Sequence, residues 1–167
     1  VPYIAYTEYF GYIAKVSVKK FDTTSNSWVY VGTPGFSVES ASAPYLTFGP
    51  NGVPFVGFNG ITNNATVMKF NGTAWVYVGN PGFSTLTLTS LAVGSDNVPL
   101  VSLADNDTSV SVMKFNGTAW VYVGNPGFTA VQSESVSLSL SPNNTPFVAF
   151  INSLSSMSVV KYDSPSN

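Results

Sequence analysis

The sequence has no cysteine and no histidine, and all six of its basic residues are lysines. Without cysteine there is no disulfide and no thiolate chemistry, and without histidine the commonest general base and metal ligand is missing. Six scattered lysines do not form the clustered basic surface that binds nucleic-acid phosphates. No apolar run reaches the length of about 18 residues that a membrane span needs. We therefore expect neither nucleic-acid binding nor membrane insertion.

Charge is also scarce, because only 8% of the residues are charged, against about 25% in an average soluble domain. The net charge is −2, while 44% of the residues are hydrophobic and 14% are aromatic. A surface with so little charge must either be largely covered or owe its solubility to Ser, Thr and Asn. A surface rich in these residues and poor in charge favours a secreted, extracellular protein. The sequence opens at Val1 without a leader, so we expect a removed signal peptide or a longer parent protein.

One stretch, Val-Met-Lys-Phe-Asn-Gly-Thr-Ala-Trp-Val-Tyr-Val-Gly-Asn-Pro-Gly-Phe, occurs twice without a change. It spans Val67–Phe83 and again Val112–Phe128, an offset of 45 residues from position 67 to position 112. A looser copy spans Lys20–Phe36, and a fourth begins at Val160 and stops before its tryptophan. Repeats of about 20 to 50 residues are typical of solenoids, propellers and other arrays.

Each repeat contains four short apolar runs rich in Val, Phe, Tyr, Trp and Thr, which favour strands. Asn71-Gly72 separates two of these runs and predicts a tight hairpin in which both residues take positive φ. Thr85–Leu91 and Val131–Leu140 alternate apolar and hydroxyl residues, which is the period of a strand. The strands predicted for the two clearest repeats are Pro44–Phe48, Val53–Phe58, Thr66–Phe70, Trp75–Val78, Ser90–Val93, Val98–Leu103, Val110–Phe115 and Trp120–Val123.

Runs such as Val53–Phe58 and Trp75–Val78 are apolar on both alternating faces. A strand in a sandwich would show one wet face, whereas a blade of a propeller is packed on both sides. A barrel would also fit the strand spacing, and a solenoid usually has shorter repeats. The period matches a blade of four antiparallel strands. The sequence therefore predicts an all-β fold, a β-propeller of four-stranded antiparallel blades with about four blades in the chain.

The two ends align with the middle of a repeat. Val1–Thr7 matches Val53–Asn59, and Val159–Asp163 matches Val67–Asn71. The first blade then lacks its opening strand and the last blade its closing strand, which gives fourteen strands. Because open sheet edges recruit other strands, we expect further copies or a companion chain to complete the propeller. The predicted blade segments are 1–42, 43–88, 89–134 and 135–167.

Two segments resemble known propeller families. Leu91–Val101, Leu-Ala-Val-Gly-Ser-Asp-Asn-Val-Pro-Leu-Val, is similar to the "LAVDxxGNVYVA" core of NHL-type blades. The hairpin Lys-Phe-Asn-Gly-Thr-Ala-Trp is similar to the outer "WDGxxW" hairpin of fucose-binding propeller lectins. Each resemblance covers part of a blade, and it implies the fold rather than a function.

Catalysis would have to depend on carboxylates without help from histidine or arginine. We expect them to be solvated turn residues, so the chain is predicted to be no enzyme and to need no cofactor. A glycosidase with two carboxylates assembled across blades is the alternative. The eight carboxylates are Glu8, Asp22, Glu39, Asp96, Asp105, Asp107, Glu134 and Asp163.

Asp105-Asn106-Asp107 offers oxygen ligands at alternating positions, as the start of a calcium loop does. No glycine and no later glutamate complete such a loop. A polar hairpin turn is therefore the prediction, with calcium as the alternative and no metal site assigned.

The aromatic residues that recur in each repeat are the best ligand candidates, because the C–H faces of sugars stack on Trp and Tyr. Packing against the next blade is the alternative, since residues two apart share one face of a strand. The candidate ligand-binding residues are Trp28, Trp75, Trp120, Tyr30, Tyr77 and Tyr122.

Five Asn-x-Ser/Thr sequences lie in predicted turns. They would carry N-linked glycans if a eukaryote secretes the protein, and they would arise by chance in Asn-rich turns otherwise. The five residues are Asn64, Asn71, Asn106, Asn116 and Asn143.

Repeated blades would give repeated weak sites whose joint use raises avidity. The sequence therefore predicts a secreted multivalent binding module assembled from more than one chain, with lectin-like carbohydrate binding as its function. The alternative is a structural subunit of an extracellular assembly that adds strands across subunits.

Overall fold

A computed structural model describes residues 1–104, 109–129, 133–152 and 155–163 of the chain. In these residues the regular structure is entirely β, with fourteen strands in four antiparallel sheets. The sheets have three, four, four and three strands, and in each sheet consecutive strands are neighbours. The predicted all-β fold, a partial propeller of about four blades with a shorter first and last blade, is confirmed.

We number the blades one to four in chain order. The first blade contains β1 (Tyr3–Phe10), β2 (Ile13–Asp22) and β3 (Ser27–Tyr30). The second contains β4 (Ala41–Phe48), β5 (Pro54–Gly60), β6 (Ala65–Phe70) and β7 (Trp75–Tyr77). The third contains β8 (Thr87–Val93), β9 (Pro99–Ala104), β10 (Val110–Phe115) and β11 (Trp120–Tyr122). The fourth contains β12 (Ser133–Leu140), β13 (Pro146–Asn152) and β14 (Met157–Lys161).

The third and fourth strands of a blade are joined by the Asn-Gly turn. Only Gly72 has positive φ, at 98°, so the predicted tight hairpin with two such residues is wrong. The connection is longer because the Asn71 side chain organises it: Asn71 Oδ1 accepts the N–H groups of Thr73 at 3.0 Å and Ala74 at 2.9 Å. Asn116 makes the same two bonds in the third blade. In each of these two blades the asparagine side chain therefore provides the hydrogen-bond acceptor for two backbone N–H groups of this longer turn.

Three apolar clusters lie between successive blades and form the core. Val18, Val56 and Phe58 belong to the cluster between the first and second blades. Corresponding clusters separate the second from the third blade and the third from the fourth. Every residue from Pro54 to Asn59 in β5 is buried, on both faces of the strand. This two-sided burial is what a blade between like neighbours requires.

The outermost faces of the array are more exposed. On the first blade, the side chains of Ile4, Phe10 and Trp28 are exposed, and on β14 those of Met157 and Val159 are exposed. Except for Phe10, these apolar residues occupy positions that are buried in the second and third blades.

Candidate functional site

The tryptophan that opens β7 joins the first two blades. Trp75 is 8% exposed, and its Nε1–H donates to the carbonyl oxygen of Val31 at 2.7 Å. Phe36 stacks on the indole with a ring separation of 4.5 Å and an angle of 14°. Gly32, at φ +75°, leaves room for the ring, since a Cβ there would lie 3.1 Å from Trp75 Cδ1. A carbonyl, a glycine and a phenylalanine of one blade therefore form a slot for the indole of the next.

The same slot recurs one blade later. Trp120 Nε1–H donates to the carbonyl oxygen of Val78 at 2.8 Å, and Phe83 stacks on the indole at 4.3 Å and 11°. Gly79 has φ +76°, and a Cβ there would lie 3.1 Å from Trp120 Cδ1. The repeated Trp–Gly–Phe pattern thus encodes a repeated contact between blades.

The other four predicted ligand-binding residues reach solvent. Trp28 is 46% exposed and contacts Phe21 edge to face. Tyr30, Tyr77 and Tyr122 lie at the ends of the outermost strands and are exposed. The two buried indoles thus lie between blades, while these four aromatic side chains stay accessible. Their role in ligand binding stays a prediction.

A polar cluster surrounds Tyr30 on the exposed face of the first blade. Tyr30 Oη donates to Glu8 Oε2 at 3.2 Å, and Ser17 Oγ donates to Glu8 Oε1. Lys19 Nζ lies 4.4 Å from the centre of the Tyr30 ring. The pKa of Tyr6 is raised by burial, by its hydrogen bond with Tyr30 and by the negative charge of Glu8. The cluster contains one carboxylate and no second one among the residues described.

A cavity of about 830 Å³ is lined by residues of the second, third and fourth blades. It contains two of the eight carboxylates, Asp96 from the third blade and Asp163 from the end of the fourth. Asp163 Oδ1 pairs with Lys161 Nζ at 2.5 Å. Asp96 Oδ1 accepts the N–H of Val98 at 3.0 Å, which fixes the loop that carries it.

Three lysines line the same cavity at one repeated position. Lys69, Lys114 and Lys161 each directly precede an aromatic residue, and two of these aromatic residues, Phe115 and Tyr162, also line the cavity. The cross-strand pairs Phe55↔Lys69, Leu100↔Lys114 and Phe147↔Lys161 show that the three positions are structurally equivalent. The sequence repeat could have identified these lysines, but not the two aspartates that meet them.

The cross-blade contact beside this cavity fixes its rim. Asn144 Oδ1 in the fourth blade accepts both the N–H of Ser95 at 2.8 Å and the Ser95 hydroxyl at 3.0 Å. Because Ser95 immediately precedes Asp96, this pair of bonds holds the loop of Asp96 against the fourth blade.

The predicted calcium alternative at 105–107 lies outside the described residues. Within the described ranges, no group of three or more acidic side chains is placed to hold a metal ion. The same ranges contain no helix long and apolar enough to cross a membrane.

The predicted glycosylation positions differ in accessibility. Asn71, Asn116 and Asn143 are exposed in turns, whereas Asn64 is partly buried, and its Oδ1 is buried without a hydrogen-bond partner. Asn106 lies outside the described residues. Whether any of the five carries a glycan stays a prediction.

The four radially packed sheets place the chain in the class of β-propeller folds. Comparison of the sequence with family models and with curated proteins gives no match. Solved structures do match. The sialidase of Trypanosoma rangeli in complex with sialic acid is similar over 89% of this chain and 26% of its own, with 14% identity and a TM-score of 0.59. The chain thus spans about a quarter of that sialidase.

Two bacterial structures are similar over nearly the whole chain. An endo-arabinase from Bacteroides thetaiotaomicron covers 99% of this chain and 71% of its own length, with 8% identity and a TM-score of 0.53. A protein of unknown function from Dyadobacter fermentans covers 97% of this chain and 51% of its own, with 12% identity and a TM-score of 0.54. At these identities the similarity establishes the fold alone.

These matches correct three expectations drawn from the sequence. The lectin-like binding module, the structural subunit and the absence of enzymatic character are contradicted, because the similar structures of named activity are sialidases and an endo-arabinase. The propeller fold implied by the resemblance is supported, whereas similarity to NHL repeats or fucose-binding lectins is not shown. The sequence argument kept a glycosidase with carboxylates from different blades only as its alternative, because no sequence motif links those carboxylates.

Proposed function

We propose that this chain forms part of a propeller that cleaves or transfers glycosidic bonds, with the 830 Å³ cavity as its substrate site. One observation carries the proposal: Asp96 and Asp163, from different blades, line one cavity together with three lysines. The activities named for the similar sialidases and endo-arabinase support a glycan as the substrate class.

The two carboxylates take the two roles that glycoside cleavage requires. One carboxylic acid protonates the oxygen of the leaving sugar, and the other carboxylate activates water or attacks the anomeric carbon. One of these roles falls to Asp163, which is ion-paired with Lys161. The other falls to Asp96, whose loop is held by Asn144 through Ser95.

The lysines favour an anionic glycan over a neutral one. Lys69, Lys114 and Lys161 place three ammonium groups along the cavity, and an acidic sugar would be attracted to them. The rings of Phe115 and Tyr162 in the same cavity supply faces on which a sugar can stack.

The test is hydrolysis of a panel of fluorogenic sialosides, uronides and arabinosides by the purified chain. We expect cleavage of an acidic member, and a loss of about 100-fold or more in kcat/KM in both Asp96→Asn and Asp163→Asn. Lys114→Gln should raise KM for the acidic substrate by about 5- to 10-fold, because a cation that contacts the bound anion is removed.

Asp22→Asn is the matched control, because Asp22 is a carboxylate of a turn in the first blade that accepts hydrogen bonds from Ser25. It should leave kcat/KM unchanged. The proposal fails if no glycoside is cleaved, or if both aspartate variants retain the activity of the unmodified chain.

Three further expectations stay proposals that this function would accommodate. An extracellular location follows from the charge-poor, Ser/Thr/Asn-rich composition. Glycosylation of the exposed asparagines Asn71, Asn116 and Asn143 would require a eukaryotic source. The finer resemblance of the blade cores to NHL-type repeats stays a prediction.

A further inference from the structure

A third copy of the indole slot lies between the third and fourth blades. Val123, Gly124 and Phe128 stand at the positions that Val78, Gly79 and Phe83 occupy in the slot of Trp120. Here they line a cavity of about 390 Å³ together with Val148, Val160 and Tyr162. Trp75 and Trp120 occupy the other two slots, and Trp28 belongs to the first blade.

The aromatic half of the contact is already in place. In the two occupied slots the glycine packs beside a phenylalanine of the third strand, and a Cβ on Gly79 would lie 3.0 Å from Phe115 Cε2. In the third slot a Cβ on Gly124, at φ +73°, would lie 2.9 Å from Tyr162 Cε2. Gly124 and Tyr162 are therefore spaced as the corresponding pairs are when an indole lies next to them.

The neighbouring strand edge is open in the described residues. In the third blade, β11 pairs with β10 in the register Met113↔Tyr122, Lys114↔Val121 and Phe115↔Trp120. The equivalent residues of the fourth blade are Val160, Lys161 and Tyr162, and β14 has β13 as its neighbour in the sheet. Met157 and Val159 on this strand are 77% and 61% exposed.

We propose that this edge and slot bind an extended strand with the sequence pattern of the repeat itself, Ala-Trp-Val-Tyr, in which Tyr follows Trp by two residues. The strand pairs antiparallel with β14, so that its tryptophan lies opposite Tyr162 and its tyrosine opposite Val160. The indole enters the slot, stacks on Phe128 and donates its N–H to the carbonyl oxygen of Val123. Main-chain hydrogen bonds to β14 provide the affinity for the strand, and insertion of the indole into the slot provides the specificity. This inference does not depend on the proposed glycan chemistry.

The chain itself shows which strand fits. Both occupied slots take a tryptophan from the sequence Ala-Trp-Val-Tyr-Val-Gly, which the protein contains at 74–79 and again at 119–124. In that register the open edge of β14 places one cation, Lys161, opposite the middle residue of the incoming strand. A small apolar residue such as the valine of the repeat is compatible with that position, as the pair Lys114↔Val121 shows.

The probe is a fluorescein-labelled peptide with the sequence of residues 71–83, titrated with the purified chain by fluorescence anisotropy. We expect saturable binding that weakens by about 30-fold or more in the peptide with Trp75→Ala, because the buried ring and its hydrogen bond are both lost. Replacement of the same residue by 1-methyltryptophan removes the donor and keeps the ring, and we expect a loss of about 5- to 10-fold.

Hydrogen exchange locates the binding. Tyr162 N–H bonds to the carbonyl oxygen of Pro146, so the neighbouring N–H groups of Lys161 and Val159 point to the open edge. They should exchange more slowly when the peptide is bound, whereas the N–H of Val110, which bonds to Thr129 Oγ1, should not change. On the protein side, Phe128→Ala should weaken binding, and Tyr122→Ala on the exposed surface should not.

Equal binding of the parent and Trp75→Ala peptides overturns the proposal, and this comparison needs no altered protein. Absence of binding by the parent peptide overturns it as well. Self-association of the chain that requires Trp28 and blocks the peptide would assign the slot to the Ser-Trp-Val-Tyr strand of a second copy, which contradicts the Ala-Trp-Val-Tyr strand as the occupant.

Discussion

At the scale of single residues, the indole nitrogen decides how adjacent blades are fixed to each other. Trp75 and Trp120 each donate to a backbone carbonyl of the preceding blade, and each is stacked on a phenylalanine. A stacked ring alone would permit sliding, whereas the directed hydrogen bond selects one position. The two residues therefore specify the relative position of blades as well as filling space.

Trp120→Phe tests this role of the N–H group. The carbonyl oxygen of Val78 would be left buried without its donor, so we expect the free energy of unfolding to fall by about 1 to 3 kcal/mol. Trp75→Phe should have a similar effect, because its slot has nearly the same geometry. The measurement is urea denaturation followed by circular dichroism.

Trp28→Phe is the matched control, since Trp28 is 46% exposed and lies on the outer face of the first blade. Its effect should stay within about 0.5 kcal/mol. A loss at Trp28 as large as that at Trp120 would show that ring volume, and not the contact between blades, accounts for the stability.

At the scale of strands, a buried asparagine side chain compensates for irregular pairing on the first strand of a blade. The register of β8 with β9 shifts between Leu88 and Ser90. Asn59 of β5 bonds to both backbone groups of Leu88: it accepts the N–H at 2.7 Å and donates to the carbonyl at 3.0 Å. The side chain thus continues the ladder from the second blade to the third. Asn59 follows the predicted strand Val53–Phe58, but it lies in β5 and is buried.

Asn59→Ala would leave the N–H and C=O of Leu88 buried without partners. We expect a loss of about 2 to 6 kcal/mol in the free energy of unfolding, from two groups at roughly 1 to 3 kcal/mol each. Asn51→Ala, in the exposed turn before β5 of the same blade, provides the comparison. Equal unfolding midpoints for the two variants would contradict the bridging role of Asn59.

At the scale of the whole molecule, the absence of histidine and cysteine shapes the response to pH. The titratable side chains that are present, Asp, Glu, Tyr and Lys, have ordinary pKa values outside the range from about pH 5 to pH 9. Burial raises the pKa of Tyr45, and burial together with Tyr30 and Glu8 raises that of Tyr6. At the acid end, hydrogen bonds from Ser25 and Thr24 lower the pKa of Asp22.

The directions of these shifts predict a plateau of stability. A phenol with a raised pKa in the folded state contributes stability below the unfolded value of 10.0, and this is lost as the pH rises above that value. A carboxyl whose pKa is lowered in the folded state contributes stability above its unfolded pKa of 3.8, and this stability is lost as the pH falls below that value. Urea midpoints should therefore be constant from about pH 5 to 9 and fall above about pH 10.

Tyr45→Phe should reduce the alkaline decline, because the group that must ionise on unfolding is removed. The acid side should be unaffected. A step in the urea midpoint between pH 6 and 8 would contradict this account, since nothing in the composition supplies a side chain that titrates there.

Strand positions and blade number could be predicted because their signals are local. Val110–Phe115 was predicted with the bounds that the structure gives, and β7 and β11 begin at the predicted tryptophans. Turn residues end the strands, and two-sided apolar runs require burial on both faces. Those features belong to neighbouring residues, so the sequence by itself determined the propeller architecture.

The candidate site depended on the tertiary structure. Asp96 and Asp163 lie far apart in the sequence and share no motif, yet the packing of the third blade on the fourth brings both to one cavity. Packing of the first blade on the second buries Trp75, and packing of the second on the third buries Trp120, while Trp28, at an equivalent position, stays exposed. The amino-acid sequence thus determines each blade through local periodicity, whereas the placement of one blade against another decides which side chains meet, because those contacts join residues that no local pattern relates.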